Sequence, residues 1–245
     1  MLDALDLHEG DTIVEIGSGH GVLTLPLVER CAEKKCRVVA VEKDATLTQE
    51  VRSKIQELGL QEVVEVVHGD VLAVLTSYIL PLTSYKLAGN LPYYISGALL
   101  RLISELETKP RVCVFMLQRE VGERLAAKPP RMNLLAAATQ IWAEPKILQF
   151  LKPTDFSPPP KVESAVVTLA TRILPLATSE ELKLYYSFIK KLFKQPRKTI
   201  LNNIADGFEL PKEKVLKILA ERGFTGRERP QQMDIATLLT LSRCF

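Results

Sequence analysis

The residues with the most chemical capacity lie in one run, Asn90-Leu91-Pro92-Tyr93-Tyr94-Ile95-Ser96. Asn90 offers a side-chain carbonyl acceptor, and Pro92 leaves the Leu91 carbonyl without a competing helical partner. Tyr93 presents an aromatic face on which a flat ring can stack. Such a set grips a planar amino group and holds the ring that carries it. The same Asn and Pro also suit a plain strand-to-helix turn, so the residues elsewhere in the chain have to decide.

Three other positions carry groups of matching kind. Val14-Glu15-Ile16-Gly17-Ser18-Gly19-His20-Gly21 is a glycine-rich turn between an apolar run and a helical pattern. Gly17 and Gly19 there let the backbone approach a ligand beside a helix N-terminus. Val39-Ala40-Val41-Glu42 ends a second apolar run with an acid, 25 residues after Gly17, where a ribose diol needs an acceptor. Gly69-Asp70 follows a third run, where an aspartate can accept from an adenine amino group. A dinucleotide site would share the first two features but requires neither Asp70 nor the Asn-Leu-Pro-Tyr sequence. Acids and Asn90 at the ends of four successive strands converge on one crevice, a set that fits S-adenosylmethionine and a nucleobase side by side.

Those positions need a sheet to hold them. Short β-branched runs at Thr12–Ile16, Arg37–Val41, Val63–His68, Lys86–Gly89 and Arg111–Leu117 read as strands. Between them Val22–Cys31, Thr46–Leu58, Ser96–Leu106 and Arg119–Ala127 read as helices. The alternation predicts an α/β fold on a mostly parallel sheet. Ile147–Leu151 and Val162–Ala170 would close it as an antiparallel pair. After Leu174-Pro175 the pattern turns helical, with Glu180–Leu192, Arg197–Ala205, Pro211–Arg222 and Ile235–Ser242 as candidates. The expected division is therefore 1–172 and 173–245.

Composition is that of an ordinary globular chain, 47% hydrophobic and 25% charged over 245 residues. No apolar run reaches the roughly 20 residues that span a bilayer and no signal segment opens the chain, so cytoplasmic residence is expected. Cys31, Cys36, Cys113 and Cys244, with His8, His20 and His68, show no metal-ligand spacing, and free thiols with no metal are expected. Charge is uneven: residues 173–245 carry 13 Lys/Arg against 8 Asp/Glu, the remainder 19 against 21. The helical part is thus the more suited to a polyanion. Lys190, Lys191, Lys194, Arg197 and Lys198 concentrate five cations in nine residues there, a run that a solvated helix face would also show.

Over essentially its whole length the chain resembles the class I methyltransferases, and more narrowly the rRNA adenine N6,N6-dimethyltransferase family. The resemblance rests on Glu15 to Gly19, on Gly89 to Ser96, and on Phe115-Met116-Leu117-Gln118-Arg119-Glu120-Val121. It rests also on Phe156-Ser157-Pro158-Pro159-Pro160-Lys161-Val162-Glu163-Ser164-Ala165-Val166-Val167 and Arg197-Lys198-Thr199-Ile200-Leu201-Asn202-Asn203. It implies a Rossmann-like, mostly parallel seven-stranded sheet with a small all-helical C-terminal domain. It implies S-adenosyl-L-methionine as cofactor, held at Gly17, Gly19, Glu42, Asp70, Val71 and Asn90. The implied substrate is a pair of adjacent adenines in a hairpin loop near the 3′ end of small-subunit rRNA. The implied partner is the immature small subunit late in its assembly, met by a monomer through the basic residues at 190–198. Phe156 would be a second stacking face opposite Tyr93.

The chemistry follows from the substrate. An exocyclic adenine amine is a poor nucleophile because its lone pair is delocalised into the ring. Acceptance of its two N–H groups by Asn90 Oδ1 and the Leu91 carbonyl would favour a pyramidal nitrogen aimed at the methyl. Positioning of this kind is worth several kcal/mol of barrier and needs no covalent intermediate.

Two departures from the family pattern stand out. Relatives begin with a segment containing Gln-Asn-Phe-Leu, and this chain starts at Met1-Leu2-Asp3-Ala4, where that segment would have ended. Weaker cofactor binding is the expectation. The basic helix normally carries two consecutive arginines, whereas Pro196 precedes Arg197 here, at what would be the helix's first turn. Lys128-Pro129-Pro130-Arg131-Met132-Asn133 also looks shortened and lacks the usual Tyr-Gly. Competing readings are a large-subunit rRNA methyltransferase of the macrolide-resistance type, an assembly factor without catalysis, or a relative like the mitochondrial transcription factors. Retention of Gly17, Glu42, Asp70 and Asn90 together favours an enzyme.

Overall fold

The computed structural model of the chain describes residues 1–79, 81–92, 95–172 and 179–245. In chain order β1 (Thr12–Ile16) leads to α1 (Thr24–Lys34), β2 (Arg37–Glu42) to α2 (Ala45–Glu57), and β3 (Val64–His68) to α3 (Val71–Ile79). Then β4 (Lys86–Asn90) leads to α4 (Ser96–Glu105) and β5 (Val112–Gln118) to α5 (Arg119–Leu125). After α6 (Leu134–Gln140) come the last two strands, β6 (Ala143–Leu151) and β7 (Ser164–Thr171). The seven strands form one sheet in the order β3-β2-β1-β4-β5-β7-β6. The first five are parallel neighbours, and β7 runs antiparallel to β5 with Gln118 opposite Ser164.

The central strands β1, β2, β4 and β5 are largely buried on both faces, as parallel strands covered by helices must be. One face shows the two-residue period plainly. Ile13, Val38, Ala40, Val64, Ala88, Val114 and Val166 pack with Leu27, Val28 and Cys31 of α1 and Val51 and Ile55 of α2. Lys86 breaks the apolar pattern inside β4. Its side chain is 4% exposed, and Nζ donates to Asp11 Oδ2 and to the Asp6 carbonyl, each at 2.6 Å. Burial alone would raise the Asp11 carboxyl pKa. The hydrogen bonds from Lys86 and the His8 amide, with the charges of Lys86 and Arg111, hold it below the ordinary value instead.

Contacts divide the chain into two compact units, 1–122 with 144–171, and 123–143 with 172–245. The expected division at 172/173 differs from this grouping at 123–143, which joins the C-terminal helices. Hydrogen bonds explain the grouping: the Tyr185 hydroxyl donates to the Ala137 carbonyl at 2.9 Å, and the Met132 amide to the Gln231 carbonyl at 3.0 Å. The second unit contains α6 with α7 (Ser179–Leu192), α8 (Ile200–Phe208), α9 (Lys212–Glu221) and α10 (Ile235–Ser242). Phe188 of α7 packs its ring against Phe208 and Phe245.

Most element boundaries fall within three residues of expectation. The basic helix is a correction. It starts at Ile200 rather than Arg197, because Thr199 is extended and its hydroxyl accepts the Asn202 amide as the cap. Pro196, Arg197 and Lys198 therefore lie in the turn ahead of α8. Two helices were not expected. The apolar α3 lacks a clear 3.6-residue rhythm and begins where Asp70 Oδ1 accepts the Leu72 amide. The seven-residue α6, capped by Asn133, is too short to show a period. The last stretch of the sheet also starts earlier than expected, with β6 entering at Ala143.

Candidate active site

The crevice lies at the carboxyl ends of β1, β2, β3 and β4, where three turns are locked in series. The Gly17 amide donates to the Val41 carbonyl at 2.8 Å, Gly69 to Glu42 at 2.8 Å, and Leu91 to Met116 at 3.0 Å. Each turn thus prolongs the parallel ladder by one bond before the chain leaves the sheet. Gly17 and Gly19 have φ of 77° and 53°, the left-handed region where a side chain would be strained. That geometry turns the backbone sharply between β1 and α1.

Glu42 organises the crevice. Its Oε2 accepts the Gly19 amide and its Oε1 the Asp44 amide, both at 2.9 Å. The carboxylate is therefore held rigidly at the end of β2, with further lone pairs still able to accept a diol. Asp70 Oδ1 accepts the Leu72 amide at 3.0 Å, and Oδ2 pairs with Lys43 Nζ at 3.0 Å. The Lys43 hydrogen bond, with that of the Leu72 amide, holds the Asp70 pKa below the ordinary carboxylate value. Lys43 was not foreseen as a site residue; its signal was adjacency to Glu42.

A cleft of about 420 Å³, partly open to solvent, is lined by Ile16, Gly17, Val41, Glu42, Lys43, Gly69, Asp70, Val71, Pro92 and Ile95. Four expected cofactor residues, Gly17, Glu42, Asp70 and Val71, meet there. Gly19 joins through its bond to Glu42. Asn90 stands at the exposed end of β4, outside the lining of this cleft, and its main-chain carbonyl oxygen lies 3.9 Å from the point where a Gly17 Cβ would stand. Leu91 is buried just beyond it. Tyr93, the expected stacking residue, and its neighbour Tyr94 lie outside the described residues. Phe156 is half-buried and extended after a short 3-10 turn at Pro153–Asp155, in the connection from β6 to β7.

Beneath the glycine turn lie buried polar side chains with no role foreseen from the sequence. Glu15 is fully buried on the α1 side of β1, and neither carboxyl oxygen has a hydrogen-bond partner among the described residues. The Ser18 and Thr24 hydroxyls are buried too, without a well-formed hydrogen bond among the described residues, though that of Thr24 stands near enough to Glu15 to act on it. Burial chiefly, and the Glu42 charge secondarily, push the Glu15 pKa up to about 8, against the opposing Thr24 hydroxyl.

The basic residues sit on the second unit. Lys190 and Lys191 occupy the last turn of α7, where cations suit the helix dipole. Lys191 Nζ lies 3.8 Å from the Phe208 ring centroid, and Lys198 pairs with Asp206 at 3.2 Å. Lys190, Lys194 and Arg197 are exposed. Buried Asn203 ties this turn down, its amide donating to the carbonyls of Gln195, Lys198 and Thr199 at 3.0–3.3 Å. Among the described residues no group of three or more His, Cys, Asp or Glu could hold a metal ion. The four cysteines are free thiols. No described helix is long and apolar enough to cross a membrane.

A sheet in the order 3-2-1-4-5-7-6, with an acid ending β2 and a glycine turn after β1, defines a class I methyltransferase whose cofactor is S-adenosylmethionine. The crevice residues fit that group: left-handed glycines for close approach and Glu42 for a diol. The profile of the family described as "Ribosomal RNA adenine dimethylase" matches residues 1–241, and the chain belongs to that family. It is 32% identical over 236 residues to the Ribosomal RNA small subunit methyltransferase A of Dehalococcoides mccartyi, covering 96% of this chain and 79% of that one. It is 33% identical to the protein of the same name from Pelotomaculum thermopropionicum, covering 100% and 85%. The fold is shared with a dimethyladenosine transferase from Plasmodium falciparum, with a TM-score of 0.79 at 22% identity over 98% of this chain and 91% of that one. It is shared also with the 23S rRNA methyltransferase ErmE, with a TM-score of 0.75 at 24% identity over 99% and 93%.

Proposed function

We propose that this chain transfers methyl groups to N6 of two adjacent adenines in the 3′-terminal hairpin loop of small-subunit rRNA. The observation that carries the reading is the placement of exposed Asn90 at the end of β4, beside Gly17 and the acid-lined crevice. Bound there, S-adenosylmethionine supplies an electrophilic methyl on a sulfonium. The chain's own part is to fix an amine against it. Asn90 Oδ1 and the Leu91 carbonyl accept the two N–H groups of the adenine and turn its lone pair toward the crevice. Tyr93 and Phe156 stack on the base, a platform worth about 1–3 kcal/mol per base. Glu42 accepts from the ribose diol, Asp70 takes the cofactor's adenine, and the turn at Gly17 and Gly19, with Val71, closes the wall. The methylated nitrogen becomes acidic and sheds its proton to solvent, so no strongly basic side chain is required.

The small-subunit assignment is supported by the names of the curated relatives, each called a small subunit methyltransferase. The cations at 190, 191, 194, 197 and 198 contact rRNA phosphates; the transferase domain is the expected 1–172 less 123–143, which group with the helical residues 173–245. The chain works as a cytoplasmic monomer on an immature small subunit late in assembly. The test is transfer of label from S-adenosylmethionine to undermethylated small subunits, followed by digestion and separation of nucleosides. A labelled N6,N6-dimethyladenine peak is expected, and Asn90→Ala should remove it while the far-UV spectrum stays unchanged. Label confined to large-subunit RNA, or near-wild-type turnover by Asn90→Ala, overturns the reading.

A further inference from the structure

Edge strand β6 carries a surface that neither the crevice nor the basic turn accounts for. Lys146, Leu148 and Phe150 of β6, and Lys152 just past its end, follow one another at two-residue spacing and are all exposed, with Leu148 at 43% and Phe150 at 45%. Residues at that spacing share one side of a strand. The Arg119 guanidinium lies over the Phe150 ring, 4.7 Å from its centroid, and is held there by Glu163 at 2.7 Å. The Arg119 amide also donates to the Glu163 carbonyl at 2.9 Å. Two sequence motifs without an assigned task, around Gln118-Arg119 and around Val162-Glu163, thus meet to position one exposed aromatic ring.

The location matters as much as the composition. Arg119 directly follows β5, whose carboxyl end is level with that of β4 through the pairing of Asn90 with Met116. Phe150 is therefore at the same end of the sheet as the crevice. It lies three strand positions from β4, or about 14 Å at the usual strand spacing. A strand of RNA entering the crevice with one base covers that distance within a few nucleotides. An exposed ring backed by a guanidinium and flanked by lysines is the composition that binds unpaired nucleic acid, bases on the ring and phosphates on the cations. Glu144, at the far end of the same side, is the opposing charge. Addition of a second chain to the edge is disfavoured by Pro145, which has no N–H, and by the lysines beside it.

We propose that the side of β6 formed by Lys146, Leu148, Phe150 and Lys152, with Arg119 behind the ring, is a docking platform for unpaired RNA flanking the target adenine. The proposal rests on the reading of the crevice as an rRNA adenine site. Phe150→Trp supplies a direct probe, since the chain's single tryptophan, Trp142, is buried. Titration of that variant with an RNA oligonucleotide matching the 3′-terminal hairpin of small-subunit rRNA should quench its emission as a base stacks. Phe150→Ala should weaken the affinity by roughly 5- to 150-fold. Lys146→Gln with Lys152→Gln should reduce the slope of log K against log salt by about 1.4 to 1.8. Cofactor affinity, measured by calorimetry, should stay as in the wild type in all three. No quenching, with affinity and salt slope unchanged while the wild type still methylates its substrate, overturns the platform alone. A wild type that binds no rRNA overturns the platform and the crevice reading together. Self-association abolished by Phe150→Ala, with RNA affinity intact, overturns the proposal and gives this side to a second copy of the chain.

Discussion

Gly89→Ala tests whether the crevice depends on how closely β1 and β4 approach. These are neighbours at the point where the chain, having wound from β1 through β2 to β3, crosses back and continues the other way. A Cβ at Gly89 would lie 2.5 Å from the Ile16 carbonyl oxygen, and 3.2 Å from both Ile16 Cβ and Leu91 Cδ2. Carbon and carbonyl oxygen ordinarily come no closer than about 3.3 Å, so the strands must part by roughly 0.8 Å. The obstacle is backbone, so no rotamer change relieves it. Overpacking of this sort costs about 1–3 kcal/mol, or roughly 2–12 °C in melting temperature for a chain of this length. Because Ile16 leads directly into Gly17, the displacement is transmitted to the glycine turn, and misplacement near 1 Å can cost about 100-fold in turnover. Gly97→Ala is the comparator. It is the second residue of α4, with nothing among the described residues within 4 Å of the added carbon, and should leave melting temperature and cofactor affinity at the wild-type level. The measurements are thermal unfolding, calorimetric titration with S-adenosylmethionine and methyl transfer. A Gly89→Ala protein equal to the wild type in melting temperature and cofactor affinity would refute the reasoning.

Glu15 should make stability fall as pH rises. Its folded pKa, about 8, exceeds the ordinary 4.5, so its stabilising contribution is complete below pH 4.5 and lost as pH rises to about 8. Glu15→Gln should flatten the unfolding free energy across that window, and parallel urea-denaturation profiles for variant and wild type would contradict this. Lys86→Met leaves the Asp11 carboxylate with only the more distant Arg111 and the His8 amide as partners, and should destabilise by urea unfolding, by less than the roughly 3–5 kcal/mol of a wholly unpaired buried charge. Adding Asp11→Asn should restore part of that loss, and additive losses would show that the pair does not act as a unit. Charge reversal at Lys194 and Arg197 should weaken association with small-subunit RNA and lower its salt slope by about 2. An unchanged slope would remove the turn before α8 from the RNA surface.

The class of fold, and the gathering of Gly17, Glu42 and Asp70 at one end of the sheet, were readable in the amino-acid order. Strands such as Thr12–Ile16, apolar on both faces, and turn residues placed directly after them are local features, readable without knowing what packs where. Gly17, Glu42, Asp70 and Asn90 were legible for the same reason: each closes a strand, and parallel strands bring their carboxyl ends together. The start of α8 was misplaced because Pro196 permits a helix, whereas the hydroxyl of Thr199 and the amide of Asn203 decide where the turn ends. Tertiary structure alone decided the remaining features, all of which join residues far apart in the chain. Glu42 pins the Gly19 amide across 23 residues, Lys43 neutralises Asp70 across 27, and Arg119 reaches Glu163 across 44. No periodicity encodes such pairings, because they arise from strand order. Nor does any local pattern mark Glu15 as a neutral, unpartnered acid, since its pKa is set by the removal of water when β1 and α1 pack around it.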